Sequence, residues 1–167
     1  MIPLFLEMGL TSQYLKYEPV GVFGLVTSGR CPPAALSPRI VATACVENVL
    51  VWNVTTGERV ALLRGESSPV TFIAARPGSQ SRDLAVGYQD GSIGLFSVER
   101  GEKIVLLHGH KRAVSSITWN DSGTQLASGS LDTDIIVWDA VEECGLYRLK
   151  GHKDSAGLEI LCLHCSN

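Results

Sequence analysis

Residues 109–152 read GHKRAVSSITWNDSGTQLASGSLDTDIIVWDAVEECGLYRLKGH, and the fold is decided in this stretch. Short apolar runs at 113–119, 125–130, 134–138 and 145–149 alternate with polar breaks. Asn120-Asp121-Ser122-Gly123 and Leu131-Asp132-Thr133 separate the first three runs. These residue types tolerate tight and left-handed backbone, so they read as turns between strands. The stretch therefore predicts four short antiparallel strands. Gly109-His110 opens it, Trp138-Asp139 closes its third run, and Gly151-His152 begins the pattern again.

Working outward, the same grammar recurs upstream. Runs at 40–44 and 48–53 end in Val51-Trp52-Asn53, after which 55–58 turns into 59–63 and Gly65-Glu66 takes the place of Gly109-His110. Val70 opens the next unit, Arg76-Pro77-Gly78 turns it, and 84–87, the hairpin turn Gln89-Asp90-Gly91 and 92–97 follow. Gly101-Glu102 leads into 103–107. Trp52, Phe96 and Trp138 stand 44 and 42 residues apart, and Gly65, Gly109 and Gly151 repeat those two steps. Two independent landmarks with one spacing define an internal repeat.

Four strands framed by Gly-His and Trp-Asp in a unit of this length resemble a blade of the WD-repeat β-propellers. The resemblance implies an all-β fold of about three four-stranded antiparallel blades. Propellers typically close with 4–8 blades, so three form an incomplete ring. The expected organisation is an N-terminal extension and leading strand region at 1–26 and a Pro-rich loop at 27–39. Blades then span 40–154, in units of about 40–64, 65–108 and 109–150, before a divergent tail at 155–167. Beyond Asp154 the pattern stops without second and third strands, the expectation for a chain truncated within a blade. Open blade edges of that kind favour aggregation or a partner.

Composition agrees with a globular β protein: 45% hydrophobic, 19% charged, 17 glycines and a formal charge of −3 across 167 residues. That balance gives no overall basic field for nucleic acid or membrane. The opening residues 1–6 are apolar but are cut by Glu7, too short for a signal peptide or a membrane span. An intracellular chain is expected, with Cys31, Cys45, Cys144, Cys162 and Cys165 as free thiols.

His110, Ser128, Asp132 and Trp138 form the sharpest constellation. His, Ser and Asp suggest a hydrolytic triad, but Ser128 and Asp132 flank one hairpin and no G-x-S-x-G elbow is present. In WD-repeat propellers these positions resemble the structural tetrad that hydrogen-bonds through a blade. The second unit places Glu66, Val86 and Phe96 at the His, Ser and Trp positions. The first has Ala42 and Val46 for Ser and Asp, so both are expected to rely on apolar packing alone. Lys111, Arg112, Lys150 and Lys153 could meet phosphate or an acidic partner, although no aromatic platform lies among them. Cys162-Leu163-His164-Cys165 is half a zinc site without a second pair, leaving Cys144 and His152 as improvised ligands. No P-loop, dinucleotide fingerprint or HExxH is present. No catalytic residue, cofactor, metal or small-molecule substrate is expected.

Other phrases exceed the general repeat pattern. Met8-Gly9-Leu10-Thr11 with Tyr14-Leu15-Lys16-Tyr17, then LAVGYQDGSIGLFS (84–97), LASGSLDTDIIVWD (126–139) and GLYRLKGHKD (145–154) resemble the N-terminus of the WD-repeat subunits of the small-subunit processome. The likeness covers roughly residues 8–154. It implies a nuclear, nucleolar scaffold of ribosome biogenesis that supports rRNA processing. Its implied partners are other WD-repeat processome subunits, a small nucleolar ribonucleoprotein and pre-rRNA, with no membrane involved. The alternative is a WD-repeat adaptor in another pathway, a signalling scaffold or a ubiquitin-ligase substrate receptor.

Overall fold

A computed structural model of the chain describes residues 31–78 and 82–150. Every element among them is a β-strand. The first sheet is built from β1 (Ala34–Ser37), β2 (Ile40–Cys45), β3 (Asn48–Asn53) and β4 (Arg59–Leu63), and the second from β5 (Val70–Ala75), β6 (Asp83–Tyr88), β7 (Ile93–Ser97) and β8 (Glu102–Leu107). β9 (Val114–Trp119), β10 (Gln125–Ser130), β11 (Ile135–Asp139) and β12 (Cys144–Leu149) form the third. Strands within each sheet neighbour one another in chain order and pair antiparallel. No helix of the described residues is long and apolar enough to cross a membrane.

The three sheets stack in chain order, β1 and β2 against β5, and β5 and β6 against β9. Side chains alternate across a strand, so each sheet presents two apolar faces. Val49, Val51 and Leu63 of the first sheet meet Val70, Ile73, Leu84, Val86, Tyr88 and Phe96 of the second in one core. Ala85, Ile93, Leu95 and Leu107, on the other face of the second, meet Val114, Ile117, Leu126, Ile136 and Trp138 of the third. The middle sheet is thus covered on both faces, and its strands β6 and β7 are buried throughout. The array is unclosed.

Two sequence expectations need correction. Part of the supposed loop at 27–39 is strand: β1 pairs with β2 through Ala34↔Ala42 and Ala35↔Val41. Pro33 and Pro38 bracket β1 without interrupting it, and β1 is an edge strand, where a missing N–H costs little. The first unit consequently has four strands and begins before Ile40. Nor does the second unit rely on apolar packing alone. Asp90 Oδ1 accepts from Ser92 N and Oγ at 2.9 and 2.6 Å, and Ser68 Oγ accepts from Asp90 N at 3.1 Å. The leading strand region expected at 1–26 and the tail at 155–167 lie outside the described residues.

Turn chemistry also ties one sheet to the next. Gly91 has φ +92°, and a Cβ there would stand 2.7 Å from the carbonyl oxygens of His110 and Arg112. Only glycine lets the β6–β7 turn lie so close to the chain entering β9. At the opposite end, Arg76 Nε donates to Gly123 O at 2.6 Å while its Nη1 meets Asp83 Oδ2 at 3.0 Å. The same guanidinium lies 5.6 Å from the centre of the Trp119 ring, and Trp119 Nε1 donates to Ala74 O at 3.4 Å.

Candidate functional site

Strand register brings His110, Ser128, Asp132 and Trp138 together. β10 and β11 pair Leu126 with Trp138 and Ser128 with Ile136, so Ser128 and the indole lie on one face near one another. The β8–β9 connection then carries His110 over them, and the β10–β11 turn supplies Asp132. Trp138 Nε1 donates to Ser128 Oγ at 2.8 Å, and that oxygen lies 2.8 Å from His110 Nε2. His110 Nδ1 faces Asp132 Oδ1 at 3.2 Å. A carboxylate only accepts, so the neutral ring carries its proton on Nδ1 and Nε2 accepts from the Ser128 hydroxyl. Asp132 accepts in addition from the backbone N–H groups of Lys111 and Asp134, at 2.8 and 3.1 Å.

Electrostatics match this arrangement. Burial lowers the His110 pKa below its ordinary 6.5, and the attraction of Asp132 only partly offsets it. Burial tends to raise the Asp132 carboxyl, but the Lys111 and Asp134 N–H groups and His110 outweigh it and hold the pKa below 3.8. The Gly109 backbone lies against the indole, where a Cβ would come 2.7 Å from Trp138 Cη2. Tight approach explains glycine before His110.

Connectivity Ser128–His110–Asp132 has the order of a hydrolytic triad, yet it cannot attack a substrate. Ser128 is 0% exposed, and its oxygen is already held by Trp138 and His110. A nucleophile must reach a reacting carbonyl. The hydrolase reading fails for these residues on access alone.

The remaining candidates are dispersed. Lys111 and Arg112 are exposed in the turn between β8 and β9, and Lys150 is exposed after β12. Lys153, His152 and the Cys162–His164–Cys165 group lie outside the described residues. Among the described residues, Cys31, Cys45 and Cys144 are free, and no three His, Cys, Asp or Glu side chains cluster to hold a metal. Glu66, at the histidine position of the second unit, makes an ion pair with Lys103. Sequence reasoning missed Arg148, which donates to Gly109 O and lies 3.6 Å from Asp134 Oδ2. It flanks a cleft of about 320 Å³ lined also by His108, Trp138, Gly145 and Tyr147. Nothing in a lone arginine 39 residues from Gly109 signals that contact.

Residues 101–139 match the family pattern described as WD domain, G-beta repeat. The chain thus carries a WD repeat, and its fold is that of an unclosed WD-repeat propeller, generally a non-catalytic scaffold. It is similar to WD repeat-containing protein 3 of Mus musculus, with 44% identity over 96 residues, 54% of this chain and 10% of that protein. U3 small nucleolar RNA-associated protein 12 of Saccharomyces cerevisiae is 32% identical over 142 residues, 72% of this chain and 15% of its own length. The chain thus spans only a small part of these relatives. Anaphase-promoting complex subunit cdc20 of Dictyostelium discoideum is 32% identical over 117 residues, 70% of this chain and 23% of that protein. Among solved structures, the RRP9 WD40 repeats superpose with a TM-score of 0.70 at 25% identity, covering 79% of this chain and 41% of that one.

Proposed function

We propose that this chain serves as a non-catalytic WD-repeat scaffold of the nucleolar small-subunit processome, supporting small-subunit rRNA processing. The observation that carries this reading is the 44% identity to WD repeat-containing protein 3, above the 32% to the cell-cycle protein cdc20. A relative named for U3 small nucleolar RNA supports the same particle. The partners are other WD-repeat subunits, with small nucleolar ribonucleoprotein and pre-rRNA contacted through the assembled particle. The buried His110, Ser128 and Trp138, with the half-buried Asp132, act as a structural tetrad that fixes the third sheet and the turn preceding it. Lys111 and Arg112 are then presented on a rigid turn, where with Lys150 they offer weak contacts to phosphate or to an acidic partner.

Expression of tagged chain in cells, followed by microscopy and gradient sedimentation, tests the reading. Nucleolar signal and co-sedimentation with precursor rRNA are expected. Diffuse signal with sedimentation among cell-cycle or ubiquitin-ligase assemblies would instead select the adaptor reading, for which the cdc20 likeness speaks.

A further inference from the structure

We propose that the seam between the second and third sheets carries a binding site for a partner peptide in which an apolar side chain is followed by a carboxylate. A cleft of about 320 Å³ opens there, bounded by His108 and Gly109 of the β8–β9 connection and by Ile136, Trp138, Gly145 and Arg148 of the third sheet. The repeat shows why the seam opens at this place. Trp52↔Arg59, Phe96↔Lys103 and Trp138↔Gly145 occupy one register in the three sheets, and Leu50↔Leu62, Gly94↔Leu106 and Ile136↔Arg148 occupy another. In the second sheet both positions are used to span the seam with the first: Lys103 reaches Glu66, and Leu106 packs against the shared core. The third sheet has a glycine and an arginine instead.

Nothing in the backbone requires glycine at 145. Its φ lies outside the left-handed region, and a Cβ there would stand 3.5 Å from Trp138 Cζ3, an ordinary contact distance. The missing side chain leaves the edge of the indole bordering the cleft with Ile136 beside it, an apolar floor that gains from being covered. Arg148 supplies the polar wall. It donates to Gly109 O, while its Nη1 lies 3.6 Å from Asp134 Oδ2, beyond hydrogen-bonding distance. The rest of its guanidinium fork has no partner among the described residues, and such a fork matches a carboxylate in geometry as well as charge. Lys150, exposed two residues further on, adds positive charge. A nucleotide base fits less well, because it needs an open ring face on which to stack and Trp138 is only 4% exposed.

Nuclear magnetic resonance titration of the full 167-residue chain with acetyl-leucyl-aspartate amide tests the proposal. The backbone amides of Gly109 and Gly145 should shift, and the uncharged asparagine analogue should bind about tenfold more weakly. Gly145→Lys installs the residue type that the second sheet carries at this register, and it should abolish the shift at Gly109 without lowering the melting temperature. Arg148→Leu installs the residue of the first and second sheets, and it should remove the preference for aspartate. Absence of binding, equal binding of the two amides, or binding that survives Gly145→Lys overturns the proposal. Tighter binding of uridine monophosphate than of the aspartate probe overturns it in favour of nucleic acid. If circular dichroism shows that Gly145→Lys does not fold, the aspartate preference of the parent chain and its loss in Arg148→Leu decide alone.

Discussion

Trp138 and His110 share one oxygen: the indole N–H donates to Ser128 Oγ at 2.8 Å, and His110 Nε2 lies 2.8 Å from the same atom. Their rings meet edge to face, 6.5 Å between centres. Two strands and the connection entering β9 are thereby tied at a single buried point. A hydroxyl in this place is a junction, with its proton and its acceptor capacity both in use.

The junction sets an order of sensitivities. Asp132→Ala removes the acceptor for two backbone N–H groups and for His110, so a loss of about 1–3 kcal/mol is expected. Asp90→Ala removes an exposed turn acceptor in the second sheet and should cost about 1 kcal/mol or less. Urea denaturation of both variants measures the difference. Equal losses would contradict the tetrad role.

Acid should loosen the third sheet in two stages. His110 has a folded pKa below 6.5, so on acidification the unfolded chain takes up its proton first. Asp132 lies below 3.8 and behaves likewise. Stability falls as pH falls wherever the unfolded state binds more protons. The His110 contribution is therefore lost as pH drops from 6.5 toward its folded value, and the Asp132 contribution below 3.8. Melting temperatures followed across this range should fall, and His110→Gln should flatten the first stage. A melting temperature that rises on mild acidification would reverse the sign.

Arg76 is expected to act through its shape as well as its charge. It joins Gly123 O, Asp83 and the Trp119 ring, linking the second sheet to the third. Arg76→Ala should cost about 1–3 kcal/mol. Arg76→Lys should recover little of it, because an ammonium lacks the planar fork and stacks poorly. Amide exchange in the 120–124 turn reads the effect locally, and full recovery by lysine would show that charge alone suffices.

Gly91 and Gly101 provide a matched pair. Both take positive φ, +92° and +67°, but a Cβ at Gly101 meets nothing within 4 Å. Gly101→Ala should cost about 1–2 kcal/mol for the left-handed backbone. Gly91→Ala adds the clash with the His110 and Arg112 carbonyls, about 1–3 kcal/mol more. Thermal denaturation of the two variants gives the comparison, and equal losses would show that the turns are free to separate.

Much of this fold was legible because the repeat restates itself. The strands of the second and third units follow from apolar runs between turn residues, and the tetrad stood out because only the third unit holds all four residue types. β1 escaped notice since Pro33 and Pro38 announce a loop, while their actual position at an edge makes them harmless. Arg76 was invisible for another reason. Its contact with Gly123 spans 47 residues and depends on how two sheets stack, which no local pattern encodes. The polar turn of the second sheet was missed because Ser92 read as the start of the strand run at 92–97 and Ser68 belonged to no pattern until the backbone placed both against Asp90.

Membership of a processome scaffold is tested most directly by capture of the tagged chain from nuclear extract, with sequencing of bound RNA and identification of bound proteins. Recovery of precursor rRNA, small nucleolar RNA and other WD-repeat subunits is the expected result. Recovery of chaperones alone, or of cell-cycle assemblies without precursor rRNA, would contradict it.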